Sequence, residues 1–157
     1  MNIELNAVGS VEVRDGDYLI CLKEGFHGGL DGLAGFSHGV VLWWAHTFAD
    51  QMYRSYTVLD SPYSEGPERI GIFATRSPVR PNPIMMSVVQ LASIDAERGE
   101  IRVPYIDAEE GSPVVDLKPY HPSEDRVKEV AVPGWCRSWP QWLEDSAAFD
   151  WERVFNF

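Results

Sequence analysis

The sequence predicts an all-β domain, a barrel or a sandwich, and three observations carry that reading. Segments rich in β-branched and aromatic residues outnumber helical patterns along the whole chain. Turn residues recur at intervals of roughly eight to twelve positions, as they do between short strands. The central stretch, residues 71–91, begins and ends as a strand but holds Pro78, Pro81 and Pro83 between its halves. Neither repeats nor low-complexity linkers interrupt the chain, and its 157 residues suit one domain with a proper core.

Residues 3–13 and 17–22 read as two strands. Between them Arg14-Asp15-Gly16-Asp17 supplies the Asp-Gly chemistry of a hairpin turn. Residues 25–35 are glycine-rich, but the spacing is neither GxGxxG nor a Walker loop, so a turn into the next strand is expected. Residues 36–48, with Val40, Val41, Trp43 and Trp44, form the most apolar candidate and read as strand rather than helix. His38 and His46 share a face if this strand runs through both. They are candidate ligands or acid–base groups, or else histidines that cap backbone at the strand ends. Residues 50–69 form a long turn-rich connection.

The central stretch follows. Proline fixes φ and lacks an N–H, and it pushes Ser77, Arg80 and Asn82 to extended geometry. The segment between the two strand halves must therefore be a stiff loop, shaped before any ligand arrives. Arg76, Arg80 and Asn82 on such a loop suit a small ligand or a phosphate, and a proline-rich surface turn is the alternative. Beyond a strand at 101–105, Asp116, Lys118 and Tyr120 crowd beside Pro119 and Pro122. In an extended segment Asp116 and Lys118 point the same way, as a solvated ion pair or as part of a site. The tail holds Trp135, Trp139, Trp142 and Trp151, with Ser138 placed to cap a helix. Its aromatics suit packing on the domain or on a second copy, with nucleobase stacking as the alternative.

The formal net charge of −11 excludes nucleic-acid binding through the overall field. Any RNA contact must be local, and Arg69, Arg76 and Arg80 make a basic island in an acidic chain. No apolar run is long enough to span a membrane. The N-terminus has no leader pattern, and Cys21 and Cys136 lack metal-ligand spacing. A cytoplasmic, reducing location without a metal site is expected.

Three segments together resemble the TsaA-like, or TrmO, family: residues 33–38 (LAGFSH), 71–84 (GIFATRSPVRPNPI) and 111–120 (GSPVVDLKPY). The similarity covers about residues 3–122. It implies a single β-barrel that uses S-adenosylmethionine to methylate the exocyclic amine of threonylcarbamoyl-adenosine in tRNA, working as a homodimer with the cofactor near the subunit boundary. By position it places Arg76, Arg80, Asn82 and Pro83 in the cofactor and catalytic loop. Asp116, Leu117, Lys118 and Tyr120 form the facing wall, and Ser37 and His38 belong to the supporting strand. Asn82, Asp116 and Lys118 are then the catalytic candidates, and Arg76, Arg80, Pro83, Leu117, Tyr120 and His38 the cofactor-binding ones. Residues 123–157 form a short helical, Trp-rich extension packed on the barrel or on the partner.

The chain departs from the family pattern in two places. A proline-arginine-glutamine string that members carry after the first strand is missing. Ile84 is followed by Met85-Met86 where members have glycine. A non-catalytic S-adenosylmethionine-binding module, and a methyltransferase with a small-molecule acceptor, are the alternatives.

Overall fold

The computed structural model describes residues 3–156. Strands β1 (Gly9–Arg14) and β2 (Asp17–Leu22) form the expected hairpin. Its two-residue turn places Asp15 and Gly16 at positive φ, 53° and 87°, as a tight turn matching strand twist requires. The first strand starts at Gly9, whereas the sequence suggested residue 3. Gly9 is fixed by crowding, since a Cβ there would lie 2.2 Å from the Cys21 carbonyl oxygen. The glycine-rich segment forms two 3-10 helices, Glu24–Leu30 and Leu33–Gly35, which turn Leu30 and Leu33 into the core.

Strand β3 (His38–Trp44) is confirmed as strand but ends before His46, which lies in a 3-10 turn at His46–Phe48. His38 and His46 therefore do not share a strand face. A helical turn, α1 (Gln51–Arg54), and a small hairpin of β4 (Val58–Asp60) and β5 (Arg69–Gly71) fill the long connection. The strand expected to run on from Gly71 stops there. Residues Ile72–Ala74 coil into a 3-10 turn because the Ile72 carbonyl is taken by Thr75, whose N–H and hydroxyl both donate to it.

After the proline loop come β6 (Ile84–Gln90), β7 (Ser93–Asp95), β8 (Glu100–Val103) and β9 (Pro113–Pro119). A short turn, α2 (Pro122–Asp125), leads to a tail of 3-10 turns. The helix expected to start at Ser138 does not form. Gln141 donates its side-chain amide to the Trp139 carbonyl, Trp142 is extended, and the turn begins at Leu143.

Seven strands pair in the order β6-β3-β9-β1-β2-β8-β7, and every ladder is antiparallel. The edge strands β6 and β7 are consecutive, joined by Leu91 and Ala92. Laid flat, six strand spacings would hold them roughly 29 Å apart, yet the link spans at most about 11 Å. The sheet must therefore curl until its edges nearly meet. Leu91 N donates to Ser37 O at 2.9 Å and Ala92 N to Arg102 O at 2.9 Å, so one bent segment serves both edges. The pairing still stops at β6 and β7. Among the described residues the ladders form a curled sheet with unpaired edges, so the expected all-β fold is seen and its closure into a barrel is not shown.

The inner face buries Val11, Ile20, Val41, Trp43, Val89, Ile101, Val103 and Val114, joined by Leu30, Leu33 and Ile106. Trp43 fits there because its indole N–H donates to Ser87 Oγ at 3.0 Å.

Candidate active site

The proline loop packs onto the domain and does not project into solvent. Pro83 is fully buried, and its carbonyl accepts from Ala45 N at 2.9 Å. Thr75 is buried; its hydroxyl donates to Ile72 O at 2.9 Å and accepts from Ser77 N at 3.2 Å. Arg80 folds back on its own loop, donating from Nη2 to Ile72 O (3.1 Å) and Thr75 O (2.9 Å). Arg54 reaches across to Pro81 O at 2.9 Å. These bonds fix Asn82, which stays exposed, on the rim of a cavity of about 340 Å³ shared with Phe73, Thr75, Arg80 and Pro81. Arg80 Nε is buried, and among the described residues it has no hydrogen-bond partner.

The second motif is shaped by a bulge. Leu42 pairs with Asp116, but Trp43 pairs with Val114, so Val115 is the extra residue. Simple alternation would put Val114, Asp116 and Lys118 on one face. The bulge instead leaves Val114 and Leu117 inward and turns Asp116 and Lys118 outward, where Lys118 Nζ meets Asp116 Oδ2 at 2.6 Å. The neighbouring carboxylate holds the Lys118 ammonium above its usual range.

Registers on both sides of β3 then define one outer strip. Its rows run Ile84–Trp44, Met86–Leu42–Asp116 and Val88–Val40–Lys118, and then Gln90–His38, with Tyr120 N donating to His38 O at 3.0 Å. Arg76 joins the strip at its β6 side, donating from Nη2 to Met86 O at 2.7 Å. His38 and Tyr120 meet edge-on at 6.4 Å at its far end. Arg76 and Asp116 thus flank a band two strand spacings wide, about 10 Å, floored by Met86 and Leu42.

Asp116, Leu117 and Pro119 face a second cavity, of about 420 Å³, bounded by Phe26, Leu30, Leu33, Phe36 and Asp31. β1 pairs with β9 only at Pro113 and Val114, so this edge of the strand is unpaired beyond them. Its donors are silenced: Leu117 N is capped by Asp116 Oδ1 at 2.9 Å, and Pro119 has none. The two cavities have no lining residue in common among the described residues. Within one copy, the structure therefore groups Arg76, His38, Asp116, Lys118 and Tyr120 on the strip. Arg80, Asn82 and Pro83 stand apart at the loop.

Sequence reasoning missed two contributors. Asp107 lies close enough to Arg76 to feel its charge. Protein crowding pushes the Asp107 carboxyl above the usual range, and Tyr105 and Arg76 oppose the shift. Nothing in the local pattern pointed to Asp107. Met86 was visible only as the neighbour of Met85, which follows Ile84 where members have glycine. His46 makes a polar contact with the buried Ser112 hydroxyl at 3.2 Å, which fits a structural histidine.

The family profile of the tRNA-methyltransferase O N-terminal domain matches residues 9–126. An S-adenosyl-L-methionine-binding protein of Archaeoglobus fulgidus is 36% identical over 111 residues, covering 71% of this chain and 74% of that protein. The tRNA (adenine(37)-N6)-methyltransferase of Escherichia coli is 35% identical over 103 residues, 64% of this chain but 43% of the enzyme. A crystal structure of TrmO from Pseudomonas aeruginosa superposes with a TM-score of 0.63 at 25% identity, covering 83% of this chain and 62% of that one. The chain thus spans under two thirds of the length of these enzymes. On the matched segment, the chain belongs to the TrmO N-terminal-domain family.

Proposed function

We propose that the protein is an S-adenosylmethionine-dependent methyltransferase acting on the exocyclic amine of an adenosine in tRNA, the threonylcarbamoyl-adenosine beside the anticodon. The observation that carries this reading is the strip between Arg76 and Asp116-Lys118, which unites two distant motifs on one face of a family member. The names borne by the archaeal and Escherichia coli relatives support the cofactor and the acceptor class.

The residues present fit the cofactor. Arg80 Nε, orphaned among the described residues in the wall of the loop cavity of about 340 Å³, is what a carboxylate-bearing nucleoside needs. Arg76 is the better group for its carboxylate, because Arg80 already spends Nη2 on two backbone carbonyls. When bound, S-adenosylmethionine supplies an electrophilic methyl group on sulfur. The chain's task is alignment and exclusion of water, and orientation alone is worth on the order of 7–11 kcal/mol. Asn82 Oδ1 accepts a hydrogen bond from the attacking amine, and Asp116 is the second acceptor for its proton. Lys118 holds the Asp116 carboxylate in place.

The cofactor lies near a subunit boundary in this reading, and the protein works as a homodimer. Ile84 and Met86 are 37% and 46% exposed on the edge strand β6, where a second copy would cover them. A partner would also bring a proline loop opposite the wall. The curled sheet is read as the family's barrel, and the free thiols Cys21 and Cys136 suit the cytoplasm.

Transfer of labelled methyl from S-adenosylmethionine to total tRNA tests the proposal. Label on adenosine, lost with Asn82→Ala and Asp116→Ala in folded protein, is the expected result. The net charge of −11 favours a second reading, a small-molecule acceptor. Transfer to small amines but not to tRNA would establish that reading. Binding seen by calorimetry without any transfer would leave a cofactor-binding module.

A further inference from the structure

Phe73, in the turn that enters the proline loop, is 88% exposed, more than any other aromatic side chain among the described residues. Its position is nevertheless fixed. Ile72, the residue before it, is fully buried, and Ile72 N donates to Thr57 O at 2.9 Å. The Ile72 carbonyl accepts from Thr75 N (3.1 Å), Thr75 Oγ1 (2.9 Å) and Arg80 Nη2 (3.1 Å). The 3-10 turn Ile72–Ala74 is thus tied on both sides, with Ile72 inward and Phe73 held out in water. A single exposed apolar residue needs no explanation by itself. This ring, however, lines the loop cavity of about 340 Å³ together with Asn82, Pro81, Thr75 and Arg80.

Three chemistries therefore meet there: an aromatic face, a carboxamide, and a guanidinium whose Nε has no partner among the described residues. Together they suit a flat heteroaromatic ring. The face stacks on it, and a carboxamide matches the N6 and N7 edge of adenine. An aliphatic amine would engage the polar groups alone and leave the phenyl ring wet. Arg69 and Arg76, both exposed, flank Phe73 along an otherwise acidic chain. Aromatic side chains set among basic ones are how unpaired nucleotides are held. With the cofactor carboxylate at Arg76 on the strip, the two exposed members of the cavity, Phe73 and Asn82, are left to the acceptor.

We propose that Phe73 is a specificity-determining residue, the platform on which the acceptor adenine stacks while Asn82 accepts from its amine. This rests on the methyltransferase reading and deepens it. The acceptor must carry an aromatic base, and that base must leave its own stack in the RNA to reach the ring.

Phe73→Leu keeps an apolar side chain and removes the aromatic face. With an anticodon stem-loop RNA as acceptor, kcat/KM should fall roughly 5- to 150-fold, mostly through KM, the worth of one base–aromatic stack. S-adenosylmethionine affinity and the thermal midpoint stay at wild type, because the ring is exposed. Phe73→Trp, which restores a ring, recovers most of the loss. In protein with isotope-labelled phenylalanine rings, the signal that Phe73→Leu deletes should move upfield with adenosine monophosphate and not with ethanolamine. Wild-type KM in Phe73→Leu, or an unmoved Phe73 signal, would overturn the proposal. So would a Phe73→Leu protein altered only in its oligomeric state, since the ring would then serve a second copy. If the wild-type chain transfers no methyl to RNA, the methyltransferase reading fails. The Phe73 signal under adenosine monophosphate still decides whether the ring is a base platform.

Discussion

The proline loop and the wall carry the same kinds of motif residue, but they are held in different ways. Around the loop, bonds converge on few atoms: the Ile72 carbonyl accepts from Thr75 N, Thr75 Oγ1 and Arg80 Nη2. At the wall, each side chain is placed by strand register and one bulge, and its ion pair lies open to solvent. The contrast shows that a motif guanidinium can be spent on the loop's own backbone. Substitutions in the loop should therefore disturb stability and function together, and those at the wall function alone.

The largest effect is expected from Ile72→Ala. Ile72 is fully buried under the loop, and its truncation should cost about 2–5 kcal/mol in denaturant unfolding. A loss below 1 kcal/mol would show that the loop does not lean on this side chain. Next is Arg80→Lys, which cannot reproduce the forked donation to Ile72 O and Thr75 O. It should lower stability by about 1–2 kcal/mol and cofactor affinity by about tenfold or more. Equal affinity in calorimetry would return Arg80 to a passive role.

At the wall, Asp116→Asn retains the Oδ1 cap on Leu117 N but loses the pair with Lys118. Methyl transfer should fall by about tenfold or more, with the thermal midpoint unchanged because the pair is solvent-exposed. A midpoint that fell with activity would mean that the wall is as integral as the loop.

The smallest effect is a pH dependence. Burial raises the Tyr63 phenol above its ordinary value, so the folded state holds this proton more tightly than the unfolded chain. That contribution is complete below about pH 10 and is lost as pH rises through the folded value. Relative to Tyr63→Phe, the wild-type midpoint should decline more steeply above pH 10. Parallel curves would place the Tyr63 hydroxyl in a wetter site than its surroundings indicate.

Much of this was legible in the chain itself, because it depends on local chemistry. Asp15-Gly16 can hardly avoid a tight hairpin turn. Runs of β-branched and aromatic residues between turn signals placed β2, β3, β6 and β8 close to where they occur. Three prolines fixed a rigid loop, and the motif strings pointed to the family. The errors fell where a distant group decides the outcome. The strand after Gly71 is cut short because Thr75 captures a carbonyl, and the helix expected at Ser138 gives way to Trp135 and Trp139 packing on Tyr63. The bulge at Val115, which turns Asp116 outward and makes a wall possible, follows from pairing with Leu42 and Trp43. Spacing along the chain sets what a residue can do with its near neighbours. Which face it presents, and whether its charges remain available to a ligand, was settled only by partners that folding brings from far away.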